Sequence, residues 1–233
     1  MPAPFPDQVG AARVGSEKKS SPLPAGAAIP YVAPFALFGL LSYLGPLLDI
    51  TEAAVYPAKT ALAALCLFLF RDAWRREIRP TPDGVALAAG VAVFFIWVLP
   101  EHFLPQIPAT RFNPYEYAEG PKAALLIAVR LAGEVLVVPL MAELFWRSFA
   151  LRYLIRDDFR EVPPGTFSWF SFIAVSIACG LWHHRWLAGI LAGVIYALVL
   201  YRRRNLFAPV LAHAVANFFL GIYVLLTHQW SLW

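Results

Sequence analysis

The chain has 233 residues, of which 60% are hydrophobic and 15% charged, with a mean hydropathy of +0.61. Soluble domains average about 45–50% apolar and about 25% charged residues, so this composition excludes an ordinary soluble domain and predicts a polytopic membrane protein. The net charge of +4 and pI near 9.2 do not indicate a nucleic-acid binder, because the arginines gather at the ends of apolar runs, where cytoplasmic anchors of spans belong.

Residues 1 to about 27 are rich in Pro, Ala, Gly and Ser and carry Arg13, Lys18 and Lys19, which predicts a disordered cytosolic tail. The apolar run that follows is too long for the core of a signal peptide and is read as retained. It starts a single membrane-embedded domain over 28–233. The first span is expected at about Ala28–Leu48 and the second at about Ala53–Phe70, followed by Arg71, Arg75, Arg76 and Arg79. Thr81-Pro-Asp-Gly84 is a turn and helix-start signal for a third span at about Gly84–Val98. Five prolines between 99 and 121 mark a loop, with Phe112, Tyr115 and Tyr117 expected at the membrane interface.

The fourth apolar run, about Lys122–Arg156, would extend about 52 Å as a helix against a hydrocarbon core of about 30 Å. It must tilt, bend or project, and Pro139 is the natural bend point. The fifth and sixth spans, about Phe167–His183 and Trp186–Tyr201, are separated only by His184 and Arg185 and form a tight antiparallel pair. Gly189 and Gly193 give the small-residue spacing that lets helix backbones approach closely. Arg202–Arg204 end the sixth span, and a seventh is expected at about Leu206–Thr227. The fold class predicted is therefore all-α, a polytopic bundle of about seven transmembrane helices. Continuous apolar runs of this length exclude a β-barrel. With seven spans and a cytosolic N-terminus the arginine clusters all fall on the cytoplasmic side, consistent with a multi-pass protein of a bacterial inner membrane.

Polar residues inside the spans carry the functional signal. Glu143 and Arg147 stand four apart on one helix face, where each partly neutralises the other. A charged group at bilayer depth costs about 2.5–3.5 kcal/mol on insertion scales. The pair reads either as a packing staple or as part of a site. Arg130 and Glu134 make a second such pair, read as structural. His183 and His184 close the fifth span, and His213 and Asn217 share one face of the seventh. At about 1.5 Å per residue, His213, Glu143 and His183 lie about 12, 20 and 24 Å from the cytosolic side, close enough for tilt and a bend to bring them together. A carboxylate with imidazoles in a dry cavity suits general-base activation of water, and an Asn or His side chain can donate to a developing oxyanion. His183, His213 and a carboxylate also make a conceivable zinc set, although no His-Glu-x-x-His helix is present. Cys66 and Cys179 fall in apolar runs and read as buried, inert thiols with no disulfide.

At these residues the sequence resembles the CPBP family of intramembrane proteases, which includes type II CAAX prenyl proteases and bacteriocin-processing enzymes. The family pattern is Glu-Glu-x-x-x-Arg, Phe-x-x-x-His and His-x-x-x-Asn/Asp on successive membrane helices. Here it stands as Ala142-Glu143-Leu-Phe-Trp-Arg147, Cys179-Gly-Leu-Trp-His183 and His213-Ala-Val-Ala-Asn217. Glu143-Leu-Phe-Trp-Arg-Ser-Phe149 and His183-His-Arg-Trp-Leu-Ala-Gly189 look most like the subgroup found with exosortase systems. The resemblance implies a metal-independent, cofactor-free glutamate endopeptidase acting on a membrane-bound peptide or protein. His183 would be the water partner, His213 and Asn217 the oxyanion donors, and Glu143 and Arg147 the supports. Two positions depart from the pattern: Cys179 replaces Phe, and Ala142 replaces the first Glu, the water-activating carboxylate. The substitution at 142 predicts an inactivated enzyme. The other readings are a non-catalytic peptide-binding or chaperone protein on the same scaffold, and a small transporter with Arg130, Glu134, Glu143 and the histidines as a proton path.

Overall fold

A computed structural model describes residues 24, 26–98 and 111–233. The proposed tail falls almost wholly outside these residues, as does the first half of the proline-rich loop. Among the described residues the chain forms seven helices of 13 residues or more: α1 Ile29–Leu47, α2 Glu52–Leu69, α3 Gly84–Val98, α4 Gly120–Tyr153, α5 Trp169–Leu181, α6 Trp186–Arg203 and α7 Phe207–Thr227. Each predicted span is present within a few residues. Five are long and apolar enough to cross a membrane, while α3 and α5 are shorter apolar helices. The chain is a multi-pass membrane protein.

Helix α4 is where expectation and structure differ in detail. Its irregularity is not one proline kink but two wide π-helical turns, Gly133–Val137 and Leu144–Ala150, on either side of Pro139. Proline has no N–H and its ring crowds the carbonyl four residues back, so a wider turn relieves the strain. Within the first wide turn the N–H of Val138 bonds Gly133 O rather than Glu134 O. The next residue that could serve Glu134 O is Pro139, which has no hydrogen to give. Glu134 O is thus left without a helical partner inside an apolar bundle.

Helices pack as α1 on α2, α5 on α6, and α3 on α7, with α6 also against α3 and α4 crossing the middle. The α5–α6 hairpin is made by glycine. A Cβ on Gly180 would lie 2.5 Å from Ile190 N and 2.6 Å from Trp186 O, both backbone atoms. Gly180→Ala must therefore part the two helices, and we expect a loss of about 1–3 kcal/mol in unfolding experiments in detergent.

Polar networks tie both ends of the bundle. At the arginine-rich end, Glu77 accepts from Tyr31 Oη (2.8 Å), Ser148 Oγ (2.6 Å) and Arg152 Nη2 (2.8 Å), while Arg152 also stacks over Phe159. On the same side Asp83 accepts from the Val85 and Ala86 N–H groups at the start of α3 and pairs with Arg203 at 2.8 Å. Burial works against that carboxylate, yet the Ala86 N–H, Arg203 and the Val85 N–H together hold the Asp83 carboxyl below its usual range.

At the other end Arg130 pairs with Glu134 (3.1 Å) and Glu52 (3.6 Å), and Lys59 pairs with Glu52 (2.9 Å). The Arg130 guanidinium is boxed by the rings of Tyr56, Phe112 and Trp233 at 4.5–5.5 Å. The expected Arg130–Glu134 pair is therefore part of a four-charge cluster. Phe112, expected at the interface, is instead buried against this guanidinium, because a cation held in an apolar bundle draws aromatic faces to it; Tyr115 and Tyr117 are exposed.

Candidate active site

Glu143 and Arg147 face each other in the centre of the bundle, with Arg147 Nε 3.1 Å from Glu143 Oε2. Their side chains are 0% and 1% exposed, so neither charge is balanced by water. Arg147 lies in the second wide turn of α4 and makes three further contacts. Its Nη2 donates to Gly193 O at 2.9 Å, its Nη1 lies 3.6 Å from Cys179 Sγ, and its guanidinium lies 5.5 Å from the centre of the Tyr196 ring. The second carboxylate oxygen, Glu143 Oε1, is 2.9 Å from His213 Nδ1. A carboxylate paired with arginine only accepts, so Nδ1 carries the proton and Nε2 is left for other partners. The ring of His213 stacks on Tyr196, with centroids 4.9 Å apart and planes 17° apart.

His183 follows the end of α5. Its Nδ1 lies 2.9 Å from Cys179 O, an acceptor only, so this imidazole too keeps its proton on Nδ1 and leaves Nε2 available. The Trp97 ring meets it edge-on at 5.4 Å. The link of His183 to the Glu143–Arg147 pair runs through Cys179, whose Sγ lies 3.6 Å from Arg147 Nη1. Asn217, one turn beyond His213, donates from Nδ2 to Glu134 O at 2.7 Å. This is the carbonyl that the wide turn and Pro139 leave unpaired. One amide hydrogen of Asn217 is thereby used and the other remains. Ala142 is buried in the same apolar cluster as Cys179.

Glu143, Arg147 and His213 are in direct contact, His183 is joined to them by way of Cys179, and Asn217 is anchored to the fourth helix. His184 has no contact with this set among the described bonds. Among the described residues no three His, Cys, Asp or Glu side chains are grouped to hold a metal ion. Sequence reasoning missed Gly193, Tyr196 and the role of Cys179. Gly193 and Tyr196 are three residues apart and so share a helix face, and an aromatic next to a small-residue seam was the available signal.

A multi-pass helical protein with a buried Glu–Arg–His set shared by three helices defines a membrane-embedded site, not a surface one. Residues 123–219, less than half of the chain, match the model of the family described as type II CAAX prenyl endopeptidase Rce1-like. The match takes in every candidate site residue, from Ala142 to Asn217, and leaves α1–α3 outside it. No curated protein and no solved structure matches the chain significantly.

Proposed function

We propose that this chain is a metal-independent, glutamate-type intramembrane endopeptidase for a membrane-associated peptide or protein C-terminus, in a form inactivated at position 142. The observation that carries the reading is the 2.9 Å contact of His213 Nδ1 with Glu143 Oε1, within a carboxylate–guanidinium pair that is fully buried. That contact fixes one imidazole so that only its Nε2 edge serves a reacting group, which is the purpose of a carboxylate behind a histidine in hydrolytic sites. Glu143 is committed to Arg147 and His213, which leaves it a support and not the base. A carboxylate at 142 would be the base. With His183 it would take the proton from a water attacking the scissile carbonyl. The remaining N–H of Asn217, and His213 when it carries a proton on both nitrogens, would face the oxyanion. Cys179 in place of Phe gives Arg147 a polarisable sulfur contact.

The test is Ala142→Glu, assayed in proteoliposomes against prenylated and unprenylated membrane-anchored peptides. A well-placed general base is worth about 10²–10⁴ in rate, and cleavage should rise by that much. His183→Ala in the Ala142→Glu background should return it to the starting level. A folded Ala142→Glu protein with no cleavage of any peptide would remove the endopeptidase reading, and cleavage indifferent to His183→Ala would remove His183 as the water partner. Ala142 itself favours a second reading, a non-catalytic protein that grips a membrane-bound peptide. Binding of peptide by the unaltered chain, undiminished by His183→Ala and without gain of cleavage in Ala142→Glu, selects it.

A further inference from the structure

Helix α6 carries none of the motif residues, yet it meets a residue from each of the three segments that do. Gly189, Gly193 and Tyr196 stand at i, i+4 and i+7, which is one stripe of a helix. A Cβ on Gly189 would lie 3.1 Å from His183 Nδ1, Gly193 O accepts from Arg147 Nη2, and the Tyr196 ring lies against His213. Of this stripe only Tyr196 presents a side chain, and it is buried.

That side chain closes a circuit. Glu143 Oε2 is 3.1 Å from Arg147 Nε, and Glu143 Oε1 is 2.9 Å from His213 Nδ1. The His213 ring stacks on Tyr196, and the Arg147 guanidinium lies 5.5 Å from the centre of the same tyrosine ring. The contacts run from α4 to α7, on to α6 and back to α4. Without Tyr196 they form an open chain hinged at the Glu143 carboxylate. Such a hinge is loose, because χ2 of a histidine is a broad torsion and an sp² oxygen accepts over a wide range of directions. The bond to Nδ1 therefore fixes one edge of the imidazole and leaves its plane free to tilt. Stacking on an aromatic face fixes the plane. The backbone behind His213 is held as well. A Cβ on Gly90 of α3 would lie 2.5 Å from Ala212 O, so α3 presses on α7 next to His213. Tyr196 packs in one apolar cluster with Ala208, Ala212 and Ala216, small residues of α7 that leave room for its ring.

We infer that Tyr196 is the positioning residue of His213. Its ring sets the plane of the imidazole while Glu143 sets its edge, and the two together aim Nε2. The hold on the ring stands on these contacts alone, whereas its effect on cleavage rests on the endopeptidase reading. Both contacts use the face of the tyrosine ring, so phenylalanine should serve and a ringless side chain should not.

Nitrogen NMR of the unaltered full-length chain, with isotope-labelled histidine in nanodiscs at alkaline pH, tests the hold on the ring. Loss of signal in His213→Gln identifies the His213 nitrogens. The expected result is a single neutral tautomer, protonated on Nδ1, in the parent and in Tyr196→Phe. In Tyr196→Leu the form protonated on Nε2 should appear beside it, because a ring free to turn can offer either nitrogen to Glu143. A tyrosine that only fills space would leave the tautomer unmoved. Unchanged His213 signals in folded Tyr196→Leu would therefore overturn the inference, and so would a parent that already shows both forms. Tyr196→Met, also ringless, carries the same expectations if Tyr196→Leu does not fold. Kinetics in the Ala142→Glu background test the consequence. A misplacement of about 1 Å can cost about 10²-fold, so Tyr196→Leu should lower kcat about 10- to 100-fold with KM unchanged, and Tyr196→Phe should recover most of it. A kcat unaffected by Tyr196→Leu would overturn the positioning role. An Ala142→Glu chain without any cleavage removes the endopeptidase reading instead, and the tautomer then decides the inference by itself.

Discussion

Arg147→Ala should be the most damaging single truncation in the bundle. Glu143 is fully buried, and among the described residues its other partner is His213. Removing one member of a buried ion pair leaves the other charge without water or counterion, at a cost of about 3–5 kcal/mol. The change also strips a donor from Gly193 O and a contact from Cys179, so the α4–α6 seam loses its cross-link. Reversible unfolding in mixed micelles measures this directly. Glu143→Gln added to Arg147→Ala should recover part of the loss, because a neutral amide needs no counterion. A double variant as unstable as the single one would mean that the packing of the guanidinium, and not the charge, is what matters. An Arg147→Ala protein as stable as the parent would show that the pair carries no weight.

Glu77→Ala should have the second largest effect, far from the site. Glu77 lies between α2 and α3, yet gathers Tyr31 of α1 with Ser148 and Arg152 of α4. Arg152 is 3% exposed and would be left with the neutral acceptors Ser148 O, Ser148 Oγ and Val162 O. Since Glu77 itself keeps some contact with solvent, the loss belongs at the lower end for buried pairs, about 3 kcal/mol. Glu77→Gln preserves an acceptor for Tyr31 and Ser148 and should lose distinctly less. Equal losses for Ala and Gln would mean that only the charge on Arg152 is at stake. Proteolysis at the arginine-rich loops offers a second measure, since this network is what holds them to the helices.

Much of this architecture was legible in the sequence, for a simple reason. In lipid a spanning backbone must satisfy itself, so long apolar runs bounded by arginines become helices, and their limits are written in composition. The pairs Glu143/Arg147 and Arg130/Glu134 were legible too, because four-residue spacing on a helix is a contact. What spacing does not contain is the distance between helices. The bond from Glu143 to His213 spans 70 positions, and the pairing of Arg130 with Glu52 spans 78. Tyr196 was invisible as a site residue because a tyrosine in an apolar helix looks like core until its neighbour is known. The depths counted along each helix put His183 furthest from His213.

Pro139 has a consequence beyond its own helix. Because the nitrogen there bears no hydrogen, Glu134 O is left facing the seventh helix, and the carboxamide of Asn217 turns to meet it. The angle of an amide on one helix is thus set by an atom missing from another. A mutation that regularised the fourth helix would untether Asn217 while altering none of the residues that surround it.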